Sequence, residues 1–215
     1  MSASHTGNGS PKRQRGCAGV PGALAWARRW MTEQSKLDLA HPAPIPAAWP
    51  LGLRIHGPLK IGVLSDTHGI WRPQIAEIFQ DVREILHAGD VGSLEVLERL
   101  GEIAPVTAVR GNVDNSETAS LPGEVEKEIG GLRFLIRHVG AGVEDASADL
   151  RKLLIAGRID VFVFGHSHKT YCRRLESTLF FNPGAAGPRR FSTPLSVATL
   201  EILSGVLSWQ FRELS

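Results

Sequence analysis

The segment KIGVLSDTH, residues 60–68, decides the fold, because in it a short apolar run passes directly into an Asp and a His. A nearly continuous apolar run of this length is typical of a strand that is covered on both faces. At the carboxyl end of such a strand, side chains face the crevice in which α/β folds bind ligands. Alternation along an extended chain puts Asp66 and His68 on the same side, where they would grip one metal ion. A turn with a helix-capping Asp explains the same two residues equally well.

Apolar runs of the same kind recur at residues 84–88, 106–109, 134–136 and 161–164. Between several of them, apolar residues recur with helical spacing. The predicted helices cover residues 72–80, a segment after the N-cap Ser93 with Leu94, Leu97 and Leu100 inward, and residues 145–156 with Leu150, Leu153 and Leu154 together. This alternation of strands and helices predicts an α/β core with right-handed crossovers.

The last third of the chain shows strands that follow one another without helices. Gly130 and Gly131 form a strong two-residue hairpin signal between residues 126–129 and 132–136. Further, largely antiparallel strands are predicted at residues 171–181, 196–202 and 206–212. We therefore expect an α/β protein in which two mixed sheets pack face to face with helices outside, a four-layer α/β/β/α sandwich.

Length and composition predict one soluble domain. The 215 residues suffice for a single well-buried core, and 42% hydrophobic with 21% charged residues is ordinary for a globular protein. The two cysteines, Cys17 and Cys172, are too few for a disulfide framework and favour a reducing, cytoplasmic location. No apolar run approaches the roughly 18 to 20 residues of a membrane span, so no membrane partner is expected.

Positive charge is concentrated near the N-terminus. Residues 1–57 carry seven Lys or Arg against two acidic residues, whereas the remainder has a net charge of −3. This first part is rich in Gly, Pro, Ala and Ser, so we expect a basic arm over residues 1–57, disordered or weakly ordered, and one domain over residues 58–215. Met31 is an alternative start. Because the domain itself is slightly acidic, nucleic acid is not an expected partner except as a nucleotide substrate.

Four further polar motifs stand at or near the ends of the later apolar runs: Gly89-Asp90, Gly111-Asn112, His138 and Gly165-His166-Ser167-His168. Taken singly, the first three are weak signals, since turns and structural residues explain them as well. The pair of histidines in the fourth motif is stronger. Two imidazoles at i and i+2 are costly in a core unless they bind something.

Together the motifs supply two carboxylates, one amide oxygen and four imidazoles. That set matches what two adjacent divalent cations need when one carboxylate is shared between them. The absence of cysteine from the set argues against a purely structural zinc site. Paired-metal centres of this kind most often cleave phosphate esters, so the sequence predicts a metal-dependent phosphoesterase.

The order of these motifs resembles that of the calcineurin-like metallophosphoesterase superfamily. The Gly-Asn-Val-Asp form at residues 111–114 is similar to its small phosphodiesterase branch, to which the retromer scaffold subunit also belongs. The resemblance covers the chain from about Lys60 to the C-terminus, and Asn182-Pro183-Gly184 resembles a loop that borders the family's site. It implies that one metal ion is held by Asp66, His68, Asp90 and His168, and a second by Asp90, Asn112, His138 and His166.

The same resemblance implies how such a centre would work. The two ions would be Mn²⁺, or Fe, Zn or Ni, and a hydroxide that bridges them would attack phosphorus in line. Asp90 and Asn112 are the predicted catalytic residues, with Asp90 the more important because its loss would release both ions. The expected substrate is a small phosphate ester, with a phosphodiester favoured.

Two positions depart from the family pattern. Many members have His after the motif Asn, where this chain has Val113, so proton transfer to the leaving group is weak and esters with acidic leaving groups are preferred. The segment after His138 reads Val-Gly where relatives usually have Gly directly, which predicts a looser second metal site at His138. His87 is a second candidate acid, with a structural role in its strand as the alternative. Candidate contacts to phosphate, or plain surface charges, are Arg110, Arg189 and Arg190.

Two other functions are compatible with the sequence: a protein-interaction scaffold that keeps the fold without the chemistry, and a structural metal site without turnover. The complete donor set disfavours the scaffold, and the oxygen-rich ligands disfavour the structural site. Exposed strand edges in the last third favour a homodimer. The natural substrate is not specified by any recognisable pattern.

Overall fold

The computed structural model describes residues 57–115, 117–189 and 192–215. The expected basic arm falls almost wholly on residues 1–56 and so lies outside the described residues, as does Arg190. Within the described ranges, no helix is long and apolar enough to cross a membrane.

Ten strands and three helices make up the described part of the chain. The strands are β1 (Leu59–Leu64), β2 (Glu84–His87), β3 (Val106–Ala108), β4 (Glu124–Ile129), β5 (Leu132–Arg137), β6 (Val161–Val163), β7 (Thr170–Leu175), β8 (Thr178–Pro183), β9 (Leu195–Leu203) and β10 (Val206–Leu214). The helices are α1 (Pro73–Ile78), α2 (Leu94–Gly101) and α3 (Ala148–Ala156). The predicted strands are present, except that residues 171–181 hold two strands instead of one, separated by a turn at Glu176 where φ is 52°.

The strands form two mixed sheets of five. Sheet I has the order β10-β9-β1-β2-β3, and sheet II has the order β4-β5-β6-β8-β7. Strands β1, β2 and β3 of sheet I run parallel to one another, and so do β5, β6 and β8 of sheet II. The remaining pairings are antiparallel. The predicted α/β class with two mixed sheets is confirmed.

Alternation along the strands fills the space between the sheets. Phe134 and Ile136 of β5 join Ile61 and Val63 of β1 in one buried cluster. Because these side chains come from different sheets, the cluster is the core between them. Leu135, which lies on the opposite face of β5, belongs to a second buried cluster instead.

Helices cover the outer faces of the sheets, which completes the predicted four layers. On sheet II, Leu154 of α3 belongs to the same buried cluster as Phe162 and Phe180. On sheet I, Phe79 directly follows α1 and packs on Gly62, where an added Cβ atom would lie 2.9 Å from the ring. Glycine at this position of β1 therefore lets the aromatic ring cover the sheet.

Two helices differ in detail from the sequence interpretation. The helix α3 begins three residues later than predicted, because the Ser147 Oγ accepts a hydrogen bond from a backbone N–H of the first turn and caps it. Leu153 is 37% exposed, so Leu154 is the buried leucine of that helix. In α2, Val96 is buried, whereas Leu94 is only half-buried.

Candidate metal centre

All seven predicted donors lie just beyond the carboxyl ends of five parallel strands. Asp66 and His68 follow β1, Asp90 follows β2, Asn112 follows β3, His138 follows β5, and His166 and His168 follow β6. Each donor atom lies within 3.9 Å of a donor atom from another strand end. The structure therefore brings the whole predicted set together at one edge of the sandwich.

The first group of donors is largely buried. Nε2 of His168 lies 3.1 Å from Oδ1 of Asp66, and Nε2 of His68 lies 3.4 Å from Nε2 of His168. Asp66 is fully buried and His168 is 7% exposed. Donor atoms of these three residues all lie within 4.8 Å of one another. An ion among them would be held by one carboxylate oxygen and two imidazole nitrogens.

The second group of donors opens to solvent. Oδ1 of Asn112 lies 3.0 Å from Nε2 of His138 and 2.8 Å from Nδ1 of His166. His138 is buried, whereas Asn112 and His166 are exposed. A substrate therefore has access to the centre from the side of this amide and this imidazole.

Asp90 lies between the two groups. Its Oδ2 is 3.9 Å from Nε2 of His68 and 3.2 Å from Nε2 of His138. Such a position suits a carboxylate that is shared by two cations. Donor atoms of Asp66, Asp90 and His138 also lie within 4.8 Å of one another, so the two groups are continuous. The division of the ligands between two individual ions stays a prediction.

Five of the seven donors have a left-handed backbone conformation. The value of φ is 56° at Asp66, 48° at His68, 53° at Asp90, 66° at His166 and 58° at His168. This conformation costs a residue with a side chain roughly 1–2 kcal/mol, and it clusters at functional sites. The extended conformation expected for residues 66–68 and 166–168 is therefore wrong. The paired side chains converge because of tight turns, not because of strand alternation.

Two buried polar atoms of the first group have no hydrogen-bond partner among the described residues: Oδ1 of Asp66 and Nδ1 of His168. The carboxylate oxygen lies 3.1 Å from the other nitrogen of that histidine, close enough for an ion pair but outside hydrogen-bond geometry. A buried carboxylate oxygen without a partner is costly, and a cation would offset that cost. Carboxylate, imidazole and amide ligands suit Mn, Fe, Zn or Ni, so these residues fit divalent metal ions.

The surroundings keep both carboxylates ionised. Burial raises the pKa of Asp66, but the contact with His168 and other polar neighbours outweighs it, so this pKa lies below its ordinary value of 3.8. Burial also raises the pKa of Asp90, but hydrogen bonds from His138 and from a backbone N–H lower it by more, so the pKa of Asp90 too lies below its ordinary value. Two anions therefore face the imidazoles at neutral pH, which is the protonation state that binds a cation.

Two glycines let the loops approach these carboxylates. A Cβ atom on Gly111 would lie 2.0 Å from Oδ1 of Asp90, and a Cβ atom on Gly165 would lie 2.8 Å from Oδ2 of Asp66. Any larger residue would displace a donor. Glycine at these two motif positions therefore allows the backbone to approach the carboxylates closely.

Asp114 ties together the loops that follow β2 and β3, and sequence analysis did not assign it a role. Its Oδ1 accepts hydrogen bonds from the N–H of Gly92 at 2.9 Å and from Oγ1 of Thr118 at 3.0 Å. Its Oδ2 accepts from the N–H of Gly111 at 2.8 Å and of Val91 at 3.2 Å. These loops carry Asp90 and Asn112, so Asp114 positions two donors. In the sequence, Asp114 could have been recognised from its position as the last residue of the Gly-Asn-Val-Asp form.

His87 has the structural role that was its alternative interpretation. The ring is fully buried, and its Nδ1 accepts a hydrogen bond from the N–H of Gly89 at 3.2 Å. Nε2 therefore carries the proton and donates to Oγ1 of Thr67 at 2.9 Å, while that hydroxyl donates to the carbonyl of Val91. Burial lowers the pKa of His87 to about 4. The ring is neutral at pH 7 and has no exposed surface from which to protonate a leaving group.

Asn182 braces the segment that carries His166 and His168. Its side chain is fully buried, and Nδ2 donates to the carbonyl of Gly165 at 2.8 Å and to Oγ of Ser167 at 3.2 Å. Its Oδ1 accepts a hydrogen bond from the N–H of Gly184 at 2.9 Å. The segment that the resemblance placed beside the site thus contacts it, although Asn182 and Pro183 are the last residues of β8 and not part of a loop.

The candidate phosphate-binding arginines stay predictions. The guanidinium of Arg110 donates a hydrogen bond to the carbonyl of Ala119 at 3.0 Å. Arg189 is exposed.

Sequence comparison relates most of this chain to known proteins. A sequence profile of the calcineurin-like phosphoesterase superfamily domain matches residues 59–205. A protein of Methanothermobacter thermautotrophicus named "Probable metallophosphoesterase" is 35% identical over 149 residues, which cover 67% of this chain and 86% of that protein.

Solved structures show the same fold. A structure described as a novel archaeal phosphodiesterase has a TM-score of 0.59 at 25% identity, over 73% of this chain and all of that one. Vacuolar protein sorting 29 from Cryptosporidium parvum has a TM-score of 0.58 at 20% identity, over 74% of this chain and 99% of that one. Because the profile match extends from β1 to the turn between β9 and β10, well over half of the sequence, the chain belongs to the calcineurin-like phosphoesterase superfamily, a family of phosphoester hydrolases.

Proposed function

We propose that the protein is a phosphodiesterase that depends on two divalent metal ions. The position of Asp90 carries this proposal. Its Oδ2 faces His68 at 3.9 Å and His138 at 3.2 Å, so one carboxylate contacts a histidine of each donor group. The names of the archaeal relative and of the archaeal solved structure support the reaction class.

Two sets of residues, with Asp90 common to both, would hold the two ions. Asp66, His68 and His168 would hold one ion, Asn112, His138 and His166 the other, and Asp90 both. When bound, two divalent cations, with Mn²⁺ the first candidate, would neutralise charge on the phosphate oxygens and supply a hydroxide nucleophile at neutral pH. The buried first group would exclude water from its side, and the exposed second group would admit the ester.

Proton transfer to the leaving group is the weak point of this centre. Val113 follows Asn112 and has no proton to give, and His87 is buried and neutral. The substrate must therefore supply a leaving group that departs without help. We infer that aryl and nucleotide diesters are better substrates than simple alkyl monoesters.

The test is hydrolysis of bis(4-nitrophenyl) phosphate by the full chain, with Mn²⁺ added or chelated, beside the variant Asp90→Asn. Asparagine keeps the size of the side chain, keeps an acceptor for the N–H of Val113 and tolerates the left-handed backbone. Its matched control is Asp149→Asn, since Asp149 is exposed on α3. We expect turnover that requires metal, a loss of at least about a hundredfold in kcat for Asp90→Asn, and no change for the control.

Metal content measured by mass spectrometry separates this proposal from the scaffold alternative. Two ions bound per wild-type chain, and fewer in Asp90→Asn, support the dinuclear centre. Wild-type protein that is inert and binds no metal overturns the proposal and favours a scaffold. Turnover that persists in Asp90→Asn would place the chemistry elsewhere.

A further inference from the structure

Two exposed valines stand beside the open half of the metal centre. Val113, which follows Asn112, is 46% exposed, and Val139, which follows His138, is 53% exposed. They are two of the eight large hydrophobic side chains that are exposed in the described chain. Neither valine belongs to either of the two buried clusters found among the described residues, so packing in these clusters does not explain them.

The carboxylate of Asp90 contacts the segments of both valines. Its Oδ1 accepts a hydrogen bond from the N–H of Val113 at 3.0 Å, and its Oδ2 lies 3.2 Å from Nε2 of His138, the residue before Val139. Both valines therefore border the same half of the centre. This is the half in which Asn112 is exposed and a substrate can enter.

The loop that carries Val139 is held in place by several contacts. A Cβ atom on Gly140 would lie 2.5 Å from the Cβ atom of Phe164, so the backbone packs tightly there. The N–H of Val143 donates to the hydroxyl of Tyr171 at 2.7 Å, and its carbonyl accepts from Arg151 at 2.7 Å. A side chain on a loop fixed in this way is presented in a defined place, as a specificity contact requires.

We infer that Val113 and Val139 form an apolar contact for an aromatic group esterified to the substrate phosphate. This inference rests on the proposed function. An aromatic ring would remove apolar surface of both valines from water, whereas a sugar or glycerol group would place hydroxyls against side chains that cannot bond them. An aryl oxide is also an acidic leaving group. One substrate class, the aryl phosphodiester, therefore suits both the valines and the absence of an acid at position 113.

Binding of two phosphonates to the Mn²⁺-loaded full chain tests this contact without turnover. Phenylphosphonate and methylphosphonate carry the same charged group and differ only in the aromatic ring, and their P–C bond is not an ester. Titration calorimetry gives the dissociation constant of each. We expect wild-type protein to bind phenylphosphonate about fivefold more tightly than methylphosphonate, the ratio for a ring that is partly buried against two side chains.

The variant Val113→Thr/Val139→Thr keeps both branched shapes and replaces one methyl group of each valine by a hydroxyl. We expect the ratio of the two dissociation constants to fall to about one, with the affinity for methylphosphonate retained. The matched control is Val206→Thr. Val206 is 68% exposed at the start of β10. It lies at the end of sheet I where β1 begins, whereas the metal centre lies where β1 ends. Its substitution should leave the ratio at the wild-type value.

The outcomes distinguish the two proposals. Equal binding of both phosphonates to wild-type protein, or a phenyl preference that the double variant retains, overturns the valine contact and leaves the phosphodiesterase intact. Failure of the Mn²⁺-loaded protein to bind either phosphonate overturns the contact, and turnover of bis(4-nitrophenyl) phosphate then decides separately on the phosphodiesterase. Loss of the preference in the double variant alone supports the contact.

Discussion

Gly89 and His138 lie so close together that a Cβ atom on Gly89 would be 2.6 Å from the Cβ atom of His138. The φ angle of Gly89 is +89°, so this glycine is required both by its backbone and by its neighbour. We predict that Gly89→Ala pushes His138 away from Asp90 and weakens metal binding at the open half of the centre. The expected effect is at least a tenfold higher dissociation constant for Mn²⁺ and a lower thermal midpoint.

The control for this substitution is Gly205→Ala. Gly205 has a similar φ of +78°, but a Cβ atom there would meet nothing within 4 Å. Both variants share the backbone penalty of roughly 1–2 kcal/mol, and only Gly89→Ala adds the clash. Equal effects of the two variants on Mn²⁺ affinity would show that the closeness of His138 is unimportant.

Replacement of Asp114 by Asn should loosen the loops that hold Asp90 and Asn112. An amide keeps one acceptor oxygen and turns an NH₂ group towards the backbone N–H groups that the carboxylate now accepts from. We expect a loss of about 1–3 kcal/mol in the free energy of unfolding and a 10–100-fold weaker affinity for Mn²⁺. Urea unfolding with a chelator and metal titration measure the two effects separately.

Asp149→Asn is again the control, because it makes the same chemical change on an exposed helix position. The positioning role of Asp114 also predicts that kcat falls while KM for a small diester changes little, since both oxygens of this carboxylate already accept hydrogen bonds from the protein. A variant that is less stable but keeps wild-type metal affinity would reduce Asp114 to a structural residue.

Asn182→Ala should act on the other side of the centre. The substitution removes the donor to Gly165 and leaves the N–H of Gly184 without its acceptor. Because the site is fully buried, we expect a cost of about 2–4 kcal/mol in unfolding free energy and weaker metal binding by the histidines that follow Gly165. Asn115→Ala, at an exposed position, provides the comparison. Unchanged urea midpoints in both variants would contradict the brace.

The donors could be predicted from the sequence because each one follows an apolar run. Parallel strands end at the same edge of a sheet, so Asp66 and Asp90, which follow β1 and β2 of sheet I, could be expected to meet. His138 follows β5 of sheet II, so its place beside them was expected only from the family resemblance. The same reasoning correctly predicted two mixed sheets with helices outside. The start of α3 was missed because its cap at Ser147 depends on a hydroxyl that the apolar spacing does not report, whereas the predicted end at Ala156 is confirmed.

The backbone conformation at the donors could not be predicted in this way. Propensity favours an extended or right-handed conformation for Asp66 and His68, yet both have positive φ. Only the surrounding contacts stabilise such turns. The supporting hydrogen bonds could not be predicted for a related reason: Asp114 and Asn182 act through backbone groups of other segments, and a single sequence gives no sign of those partners.

Burial of His87 predicts a dependence of stability on pH. Its pKa is lowered from 6.5 to about 4 in the folded protein, so the unfolded chain takes up a proton between these values and the folded chain does not. The contribution of the neutral ring is therefore complete above pH 6.5 and is lost as the pH falls towards 4, by about 3 kcal/mol in all. His87→Gln removes the titrating group and should flatten this part of the curve.

The measurement is urea unfolding of wild type and His87→Gln from pH 7.5 to 4.5, with a chelator to keep the centre free of metal. The difference between the two free energies of unfolding should be about 2–3 kcal/mol smaller at pH 4.5 than at pH 7.5. Both proteins retain Asp66, Asp90 and His138, so titration of the centre cancels in the difference. Thr67→Val is the control, because it removes the hydrogen-bond partner of the ring but keeps the ring itself. Parallel curves for wild type and His87→Gln would mean that His87 is protonated in the folded protein, which its acceptance of the Gly89 N–H bond does not allow.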